Sequence, residues 1–543
     1  MRTPPSHPCR HALPAMCIAS GFPIQLLAAI AFLGAAVSSA AESARNPIIH
    51  ADVPDISIVR AGSNYYMSST TMHLSPGLPI MKSTDLVNWE MASYAYDTLA
   101  DMDELNLDNG KSTYGKGTWA SSLRHHNGTF YVSTFAQTTG LTYVFSTKDP
   151  NKGPWKRISF RPMMHDHSLF FDDDGRVYML YGGGDLRLVE LREDLTGIKE
   201  GGFNDIVIRE AHAVASRNIG LPAEGSQLIK HHGKYYLFNI TWPRNGMRTV
   251  VIHRADKITG PWEGRIGLAD KGVAQGCLID TPSGEWFAYL FRDSGAVGRV
   301  PYLVPVKWED GWPVLGVDGK VPDTLNLPPS RGLIPNIIAS DEFMRKPGDR
   351  PLPMVWQWNH NPADDLWSLA ERPGFLRLKT DRVDAGFLAA RNTLTQRTIG
   401  PDCSATASLD AAGLKDGDVA GLALLQRDYG YLAVKRESGR NHLVMLRVRA
   451  GAPVEVERVP LARDRVLLRV ECDFRERADT ARFHYSMDGR NWKAIGDEHK
   501  MSYTIPHFMG HRLAIFYHST ATPGGHADFD FFRVSGKIDG GRR

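Results

Sequence analysis

The chain is poor in cysteine, carries almost no net charge and has a single short apolar run, and each shortage narrows what the protein can be. Five of its 543 residues are Cys, and no pair is spaced as C-x-x-C, which argues against zinc ribbons and dithiol redox centres. The formal net charge is +3, too little to attract a nucleic acid or an acidic membrane surface. The apolar run "IQLLAAIAFLGAAV" covers residues 24–37, shorter than the roughly 20 residues a membrane-spanning helix needs. With Arg2 and Arg10 ahead of it and the small residues "SSA" (38–40) behind it, it reads as a cleaved leader over residues 1–40. The expected location is secreted or periplasmic, with neither nucleic acid nor, after leader removal, membrane as a partner. Removal of 1–40 takes away two Arg and no acids, leaving 61 basic residues against 60 acidic. Cys277, Cys403 and Cys472 remain, an odd number in a compartment that permits disulfides. Cys403 with Cys472 is the candidate bridge, and Cys277 reads as a buried strand residue.

Glycine and aromatic residues are plentiful: 51 Gly and 10% Phe, Trp and Tyr, a composition suited to an all-β chain with many tight turns. The length exceeds one ordinary core, so at least two domains are expected. Five hairpins of one form recur: "DISIVRAGSNYYMSS" from Asp55, "WASSLRHHNGTFYVST" from Trp119, "DHSLFFDDDGRVYMLYG" from Asp166, "EGSQLIKHHGKYYLFNI" from Glu224 and "QGCLIDTPSGEWFAYLF" from Gln275. An aromatic follows the opening residue by 12 positions in the last four (Tyr131, Tyr178, Tyr236, Phe287) and by 11 in the first (Tyr66). The openings lie 64, 47, 58 and 51 residues apart, each interval long enough for four short strands, the size of a propeller blade. A second repeat, "STDLVNW", "STKDPNKGPW", "ELREDLTGIK", "ADKITGPW" and "PVKWEDGW", reads as outer strands and the turns between them. The pattern predicts a five-bladed β-propeller over residues 45–320.

In a propeller the first strand of every blade lines the central channel, so equivalent repeat positions converge on one funnel. The openers Asp55, Trp119, Asp166, Glu224 and Gln275 place three carboxylates, an indole and an amide there. Like charges gathered in a partly dehydrated pocket repel, and such groups are kept where chemistry uses them. Two opposed carboxyls, one of them protonated, are the equipment for cleaving a glycosidic bond. Asp55 on the first blade and Glu224 on the fourth leave room for a water between them, the arrangement of an inverting enzyme. Asp166 on the third blade neighbours Glu224 and suits the tuning of its acidity. Trp119 offers a sugar an apolar face.

These segments resemble glycoside hydrolase family 43, the inverting five-bladed-propeller enzymes that release arabinofuranose or xylose from plant polysaccharides. The resemblance implies Asp55 as general base in "ADVPDISIVRAGSNYYMSS", with Asp52 as its rival outside the repeat register. It implies Asp166 as pKa modulator and orienter in "HDHSLFFDDDGRVY", and Glu224 as general acid in "PAEGSQLIKHHGKYYLF". Trp119 in "GTWASSLRHHNGTFY" becomes a wall of the sugar pocket, and Arg299 in "VGRVPYLVPVKWEDGWPV" a donor to sugar hydroxyls. One departure stands out. Many relatives carry a His before the Gln-Gly of the fifth blade, where it helps to hold a metal ion or water, and here that position is Ala274. Gln275 then binds solvent or substrate in its stead, and no cofactor is required. The expected activity is exo-acting, inverting release of terminal α-L-arabinofuranosyl, and also β-D-xylosyl, units from hemicellulose or its oligosaccharides. The alternatives are β-D-xylosidase as the main activity and a non-catalytic sugar-binding propeller, which the Ala274 departure leaves open although the three carboxylates together point to catalysis.

A Pro-punctuated connector, "VPDTLNLPPSRGLIPN" (321–336), leads to a second domain over 337–540. Its strands and turns, among them "GFLRLKT", "AGLALLQRDYGYLAVKR", "RLAIFYHS" and "ADFDFFRV", suggest a concanavalin-like β-sandwich. It resembles the C-terminal sandwich of one branch of the family, in which a loop leans over the propeller; Phe508 in "IPHFMGHR" is the candidate contact. Asp528 and Asp530 alternate on one strand face, and with Asp341 they form a candidate structural calcium site. The "DDDG" turn (172–175) has consecutive rather than alternating acids and reads as a solvated hairpin turn. Two N-x-[ST] matches, "NGT" (127–129) and "NIT" (239–241), fall inside repeat hairpins and carry no weight.

Overall fold

The computed structural model describes residues 43–538 apart from Pro506; the leader expected over 1–40 lies outside the described residues. Each of the five hairpins opens a four-stranded antiparallel sheet, and the sheets cover residues 57–96, 122–160, 168–208, 219–268 and 274–315 in chain order. These are blades I to V of the propeller. The innermost strands are Ser57–Ala61, Ser122–His126, Ser168–Phe171, Ile219–His231 and Ala274–Asp280. The second repeat forms the turns between third and fourth strands, as at Asp85, whose carboxylate accepts from the backbone N–H groups of Val87 and Asn88 at 2.9 and 2.7 Å.

The repeated aromatic serves packing between blades. Tyr66 of blade I shares a cluster with Leu123 and Phe130 of blade II, and Tyr178 of blade III one with Leu228 and Tyr235 of blade IV. Tyr131 of blade II packs against Leu169 of blade III, and Tyr236 and Phe287 belong to the largest cluster, which joins blades IV, V and I. Full burial of such a side chain contributes about 1.5–3 kcal/mol, so each blade needs its copy.

A second device closes the ring at the channel. A short polar side chain on one innermost strand accepts from the next blade's backbone: Leu123 N–H donates to Ser57 Oγ (2.8 Å), Leu169 N–H to Ser122 Oγ (3.0 Å), Leu228 N–H to Ser168 Oγ (2.9 Å) and Ile58 N–H to Cys277 Sγ (3.4 Å). Cys277 is thus the link between blades V and I. Blade IV substitutes Gln227, which accepts from Ser57 Oγ at 3.2 Å and donates to Ser121 O at 3.1 Å. The Arg124 guanidinium fills the channel beside this belt. It donates to Leu169 O and Ser168 Oγ at 2.7 Å and to Gln227 Oε1 at 3.3 Å, and burial lowers it to about 10.

The turn of the opening hairpin of blade III departs from expectation. Asp172 is buried, and its carboxylate accepts from Lys230 Nζ (2.8 Å) and Tyr235 Oη (2.6 Å) of blade IV. Asp173, Asp174 and Gly175 of that turn are exposed.

The C-terminal region is a sandwich of an eight-stranded and a seven-stranded sheet. The eighth strand of the larger sheet is Leu74–Ser75, an excursion from blade I that pairs with Gln357–Asn359 through Trp358 and Asn359. Ala44–Arg45 pairs with Thr324–Leu325, so the start of the described chain is clasped to the connector behind blade V. The domains therefore share backbone hydrogen bonds as well as side-chain contacts. Cys403 and Cys472 are register partners on neighbouring strands of the smaller sheet, and both are buried free thiols. Among the described residues no helix is long and apolar enough to cross a membrane.

Candidate active site

In four of the five blades the opener is marked by an unusual backbone conformation. Asp55, Asp166 and Gln275 have φ of 54°, 47° and 54°, the left-handed region that non-glycine residues enter at a cost. In blade IV the glycine after the opener, Gly225, takes φ 66° instead. The left-handed residue lies just ahead of the innermost strand in blades I and III and at a register shift within it in blades IV and V, where it breaks the strand's alternation and turns the opener's side chain into the channel mouth.

Asp55 is buried and chelated. Arg299 Nη1 donates to both of its oxygens, at 2.8 and 2.9 Å, and Thr70 Oγ1 donates to Oδ2 at 2.5 Å. Two donors occupy Oδ2 and one occupies Oδ1, so the remaining lone pair, on Oδ1, is the one free to accept from a water. Arg299 is held in turn: its Nη2 donates to Phe508 O at 3.3 Å, and the Phe508 ring lies 4.4 Å from its Cζ. Arg299 thus binds a carboxylate of the site. Asp52, the rival base, has both oxygens engaged in structure. Oδ1 accepts from Arg299 N–H at 2.7 Å and Oδ2 from Gly510 N–H at 2.9 Å, which ties the sandwich loop to the propeller.

Asp166 and Glu224 form the second group. Asp166 Oδ2 accepts from Gly225 N–H at 3.0 Å, and its carbonyl accepts from Ser226 N–H at 3.1 Å, locking it to the strand that carries Glu224. Burial raises Asp166 to about 7; the Glu224 and Asp55 carboxylates push in the same direction and His165 opposes them. Glu224 is partly open to solvent, its side chain 23% exposed. Gln275 lies against Gly225, where an added Cβ would stand 2.6 Å from its Cδ. The Trp119 indole is half-buried at the rim, anchored by Nε1–H to Gly115 O at 3.0 Å, with the Phe508 ring centroid 5.4 Å away. Phe508 reaches the site on residues 501–511 of the sandwich, and the neighbouring His507 stacks on Tyr114 at 4.1 Å.

Sequence reasoning passed over His165. Its Nε2 stands 3.2 Å from Glu224 Oε2 and 3.8 Å from Asp166 Oδ2. Burial opposes its protonation, but Asp166, Glu224 and Asp55 outweigh that and raise it to about 9. It lies one residue before an opener, outside the repeat, so its only signal was adjacency to Asp166. His165, Asp166 and Glu224 are the one group of three or more potential metal ligands found among the described residues.

The calcium site expected at Asp341, Asp528 and Asp530 is not assembled. Asp341 accepts from Arg345 Nη1 and Nη2 (2.9 and 2.7 Å) and from Trp356 Nε1 (3.0 Å), and Asp528 from Arg372 and Arg377 at 2.7–2.9 Å. Two different arginine sets neutralise these acids separately. On blade V, Ala274 is fully buried and offers no ligand atom, so the residues present do not fit a cation held from that position.

Comparisons with known proteins agree with this architecture. The family described as glycosyl hydrolases family 43 matches residues 44–313, and the beta xylosidase C-terminal concanavalin A-like domain matches residues 340–535. A putative beta-xylosidase of Xylanibacter ruminicola is 32% identical over 68% of this chain and 68% of its own. A non-reducing end alpha-L-arabinofuranosidase of Bacteroides ovatus is 28% identical over 76% of this chain and 80% of its own. A solved structure described as a bifunctional GH43-CE of Bacteroides eggerthii is 60% identical, with a TM-score of 0.91 over 92% of this chain. This chain spans 64% of that longer one.

Proposed function

The chain belongs to glycosyl hydrolase family 43, and from that membership we propose that it removes terminal α-L-arabinofuranosyl units, and β-D-xylosyl units through the same pocket, from hemicellulose or its oligosaccharides. Exo-acting glycoside hydrolysis is its activity; the roles of its residues and its preferred sugar are the proposal. The observation that carries it is the division of three carboxylates at one channel mouth, Asp55 on Arg299 and Thr70, Asp166 and Glu224 around His165.

Asp55 Oδ1 accepts a proton from a water as that water attacks the anomeric carbon. Glu224 gives its proton to the glycosidic oxygen on the other side of the sugar, so the bond breaks with inversion. The ligand atoms of Asp166 and Glu224 lie within 4.8 Å of each other, and two carboxyls that close favour keeping one proton between them. Trp119 and Phe508 wall the bound sugar, and Arg299, charged and fixed, orients the base. No metal takes part in this reading, which rests on Ala274 and on the arginine pairing of Asp341 and Asp528. The leader over residues 1–40 directs the protein to the periplasm or out of the cell, where such polysaccharide fragments are met.

Release of nitrophenol from the α-L-arabinofuranoside and the β-D-xyloside tests both roles and preference. Parent protein should cleave at least one, with an inverted sugar seen first by NMR, and Asp55→Asn should cleave neither. Retention of configuration would remove the water-activating role of Asp55. β-D-Xylosidase as the main activity is the second reading, favoured by the relative named a putative beta-xylosidase; the ratio of the two rates decides it.

A further inference from the structure

Glu224 can deliver its proton only if the hydrogen sits on the oxygen that faces the leaving group. A free carboxylic acid has two equivalent oxygens, and nothing in the strand that carries Glu224 distinguishes them. The contact that does so comes from blade III, where His165 Nε2 stands 3.2 Å from Glu224 Oε2. The imidazole is itself held. Its ring packs edge-on against Phe135 at 5.2 Å and against Trp119 at 6.2 Å, and its Nε2 stands 3.8 Å from Asp166 Oδ2. The side chain is 33% exposed, so it borders the space the substrate enters.

We propose that His165 is the positioning residue of the general acid: its Nε2–H donates to Glu224 Oε2, which fixes that oxygen as an acceptor and leaves the transferable proton on Oε1, toward the glycosidic oxygen. The balance is simple. His165 keeps its hydrogen throughout, the Oε1 proton passes to the leaving oxygen, and Glu224 becomes a carboxylate that His165 still contacts through Oε2. The anion is then stabilised by a charge-assisted hydrogen bond, which assists the proton's departure. Nε2 faces only carboxyl oxygens, Glu224 Oε2 at 3.2 Å and Asp166 Oδ2 at 3.8 Å, so the hydrogen on that nitrogen is the one with acceptors in reach. The neighbouring backbone explains why the donor is a side chain: Gly225 N–H is already committed to Asp166 Oδ2 at 3.0 Å.

The inference rests on Glu224 being the acid, and the test separates the two. His165→Phe keeps an aromatic ring against Phe135 and Trp119 but removes the donor, whereas His165→Gln keeps an N–H at similar reach. Each is assayed on an activated aryl glycoside and on the natural oligosaccharide, beside Glu224→Gln, with melting temperatures recorded. For His165→Phe the loss of kcat on the oligosaccharide should exceed that on the aryl glycoside by roughly 10- to 100-fold, the scale of a hydrogen bond to a charged group. His165→Gln should recover most of that difference. Equal losses of His165→Phe on both substrates, or no advantage of Gln over Phe, would overturn the positioning role while leaving-group dependence in Glu224→Gln upheld the acid. If Glu224→Gln itself lost equally on both, the acid assignment would fall first and take the inference with it.

Discussion

Asp166→Asn should make the protein more stable in alkaline solution while disabling it. Asp166 is buried and raised from its ordinary 3.8 to about 7, a value that already includes the attraction of His165. A carboxyl raised on folding costs nothing while it is protonated in both states. It destabilises the fold as pH rises through 3.8, where the unfolded chain ionises, and the cost levels off above about 7. At about 1.4 kcal/mol per tenfold change, a shift of that size costs a few kcal/mol once complete, and only a minor part of it is present by about pH 5. Asparagine mimics the protonated form and can still accept from Gly225 N–H. A chain of about 500 ordered residues unfolds with an entropy near 1 kcal/mol per degree, so the variant should melt higher by a few degrees at about pH 8.5 and by clearly less at about pH 5. Its activity on oligosaccharides should fall by roughly 10²-fold or more, the usual contribution of acid catalysis. Scanning calorimetry of both proteins at the two pH values supplies the comparison. A stability difference that is flat with pH, or that favours the parent at the higher pH, would refute the burial argument.

Three further outcomes follow from the same geometry. Asp55→Asn should lose at least roughly 10³-fold in kcat whatever the leaving group, whereas Asp52→Asn should lose no more than about 10-fold, because Asp52 only ties backbone N–H groups together; comparable losses in parallel kinetics would reinstate Asp52 as base. Gly225→Ala should cut kcat/KM severely, since its Cβ would stand 2.6 Å from Gln275 Cδ at a φ of 66°, and a variant retaining more than about half of parental activity would show that the Gln275 contact yields freely. Prolonged dialysis against a chelator should leave kcat/KM unchanged, and activity restored only by added calcium would expose a cation site that neither Ala274 nor the arginine-paired Asp341 and Asp528 accounts for.

The channel-mouth openers were legible because a propeller repeats: a residue type that breaks the pattern at an equivalent position must share the funnel with its counterparts. Asp55, Asp166 and Glu224 could be singled out on that ground. His165 could not, because it lies one step outside the repeat, and its importance comes from a distance to Glu224, 59 residues away. Asp52 looked like a second base in sequence because a carboxylate near a carboxylate carries no label. Its role became clear only when Gly510, 458 residues later, was found donating to it. The calcium expectation failed for a related reason. Asp341 and Asp528 have acidic spacing, but nothing local says that Arg345, Arg372 and Arg377 arrive first.

The sequence by itself determined the all-β class, the five blades with their inter-blade aromatics, and the identity of the groups that converge on the channel mouth. Those are properties of local period and repetition, written wherever a strand alternates and a turn recurs. The tertiary structure alone decided the partners: Arg299 on Asp55, His165 on Glu224, Arg124 in the channel and Phe508 brought from the sandwich to the rim. Hydrogen bonds and ion pairs act over a few ångströms in space, and chain closure sets which residues come that close; no spacing along the sequence encodes it.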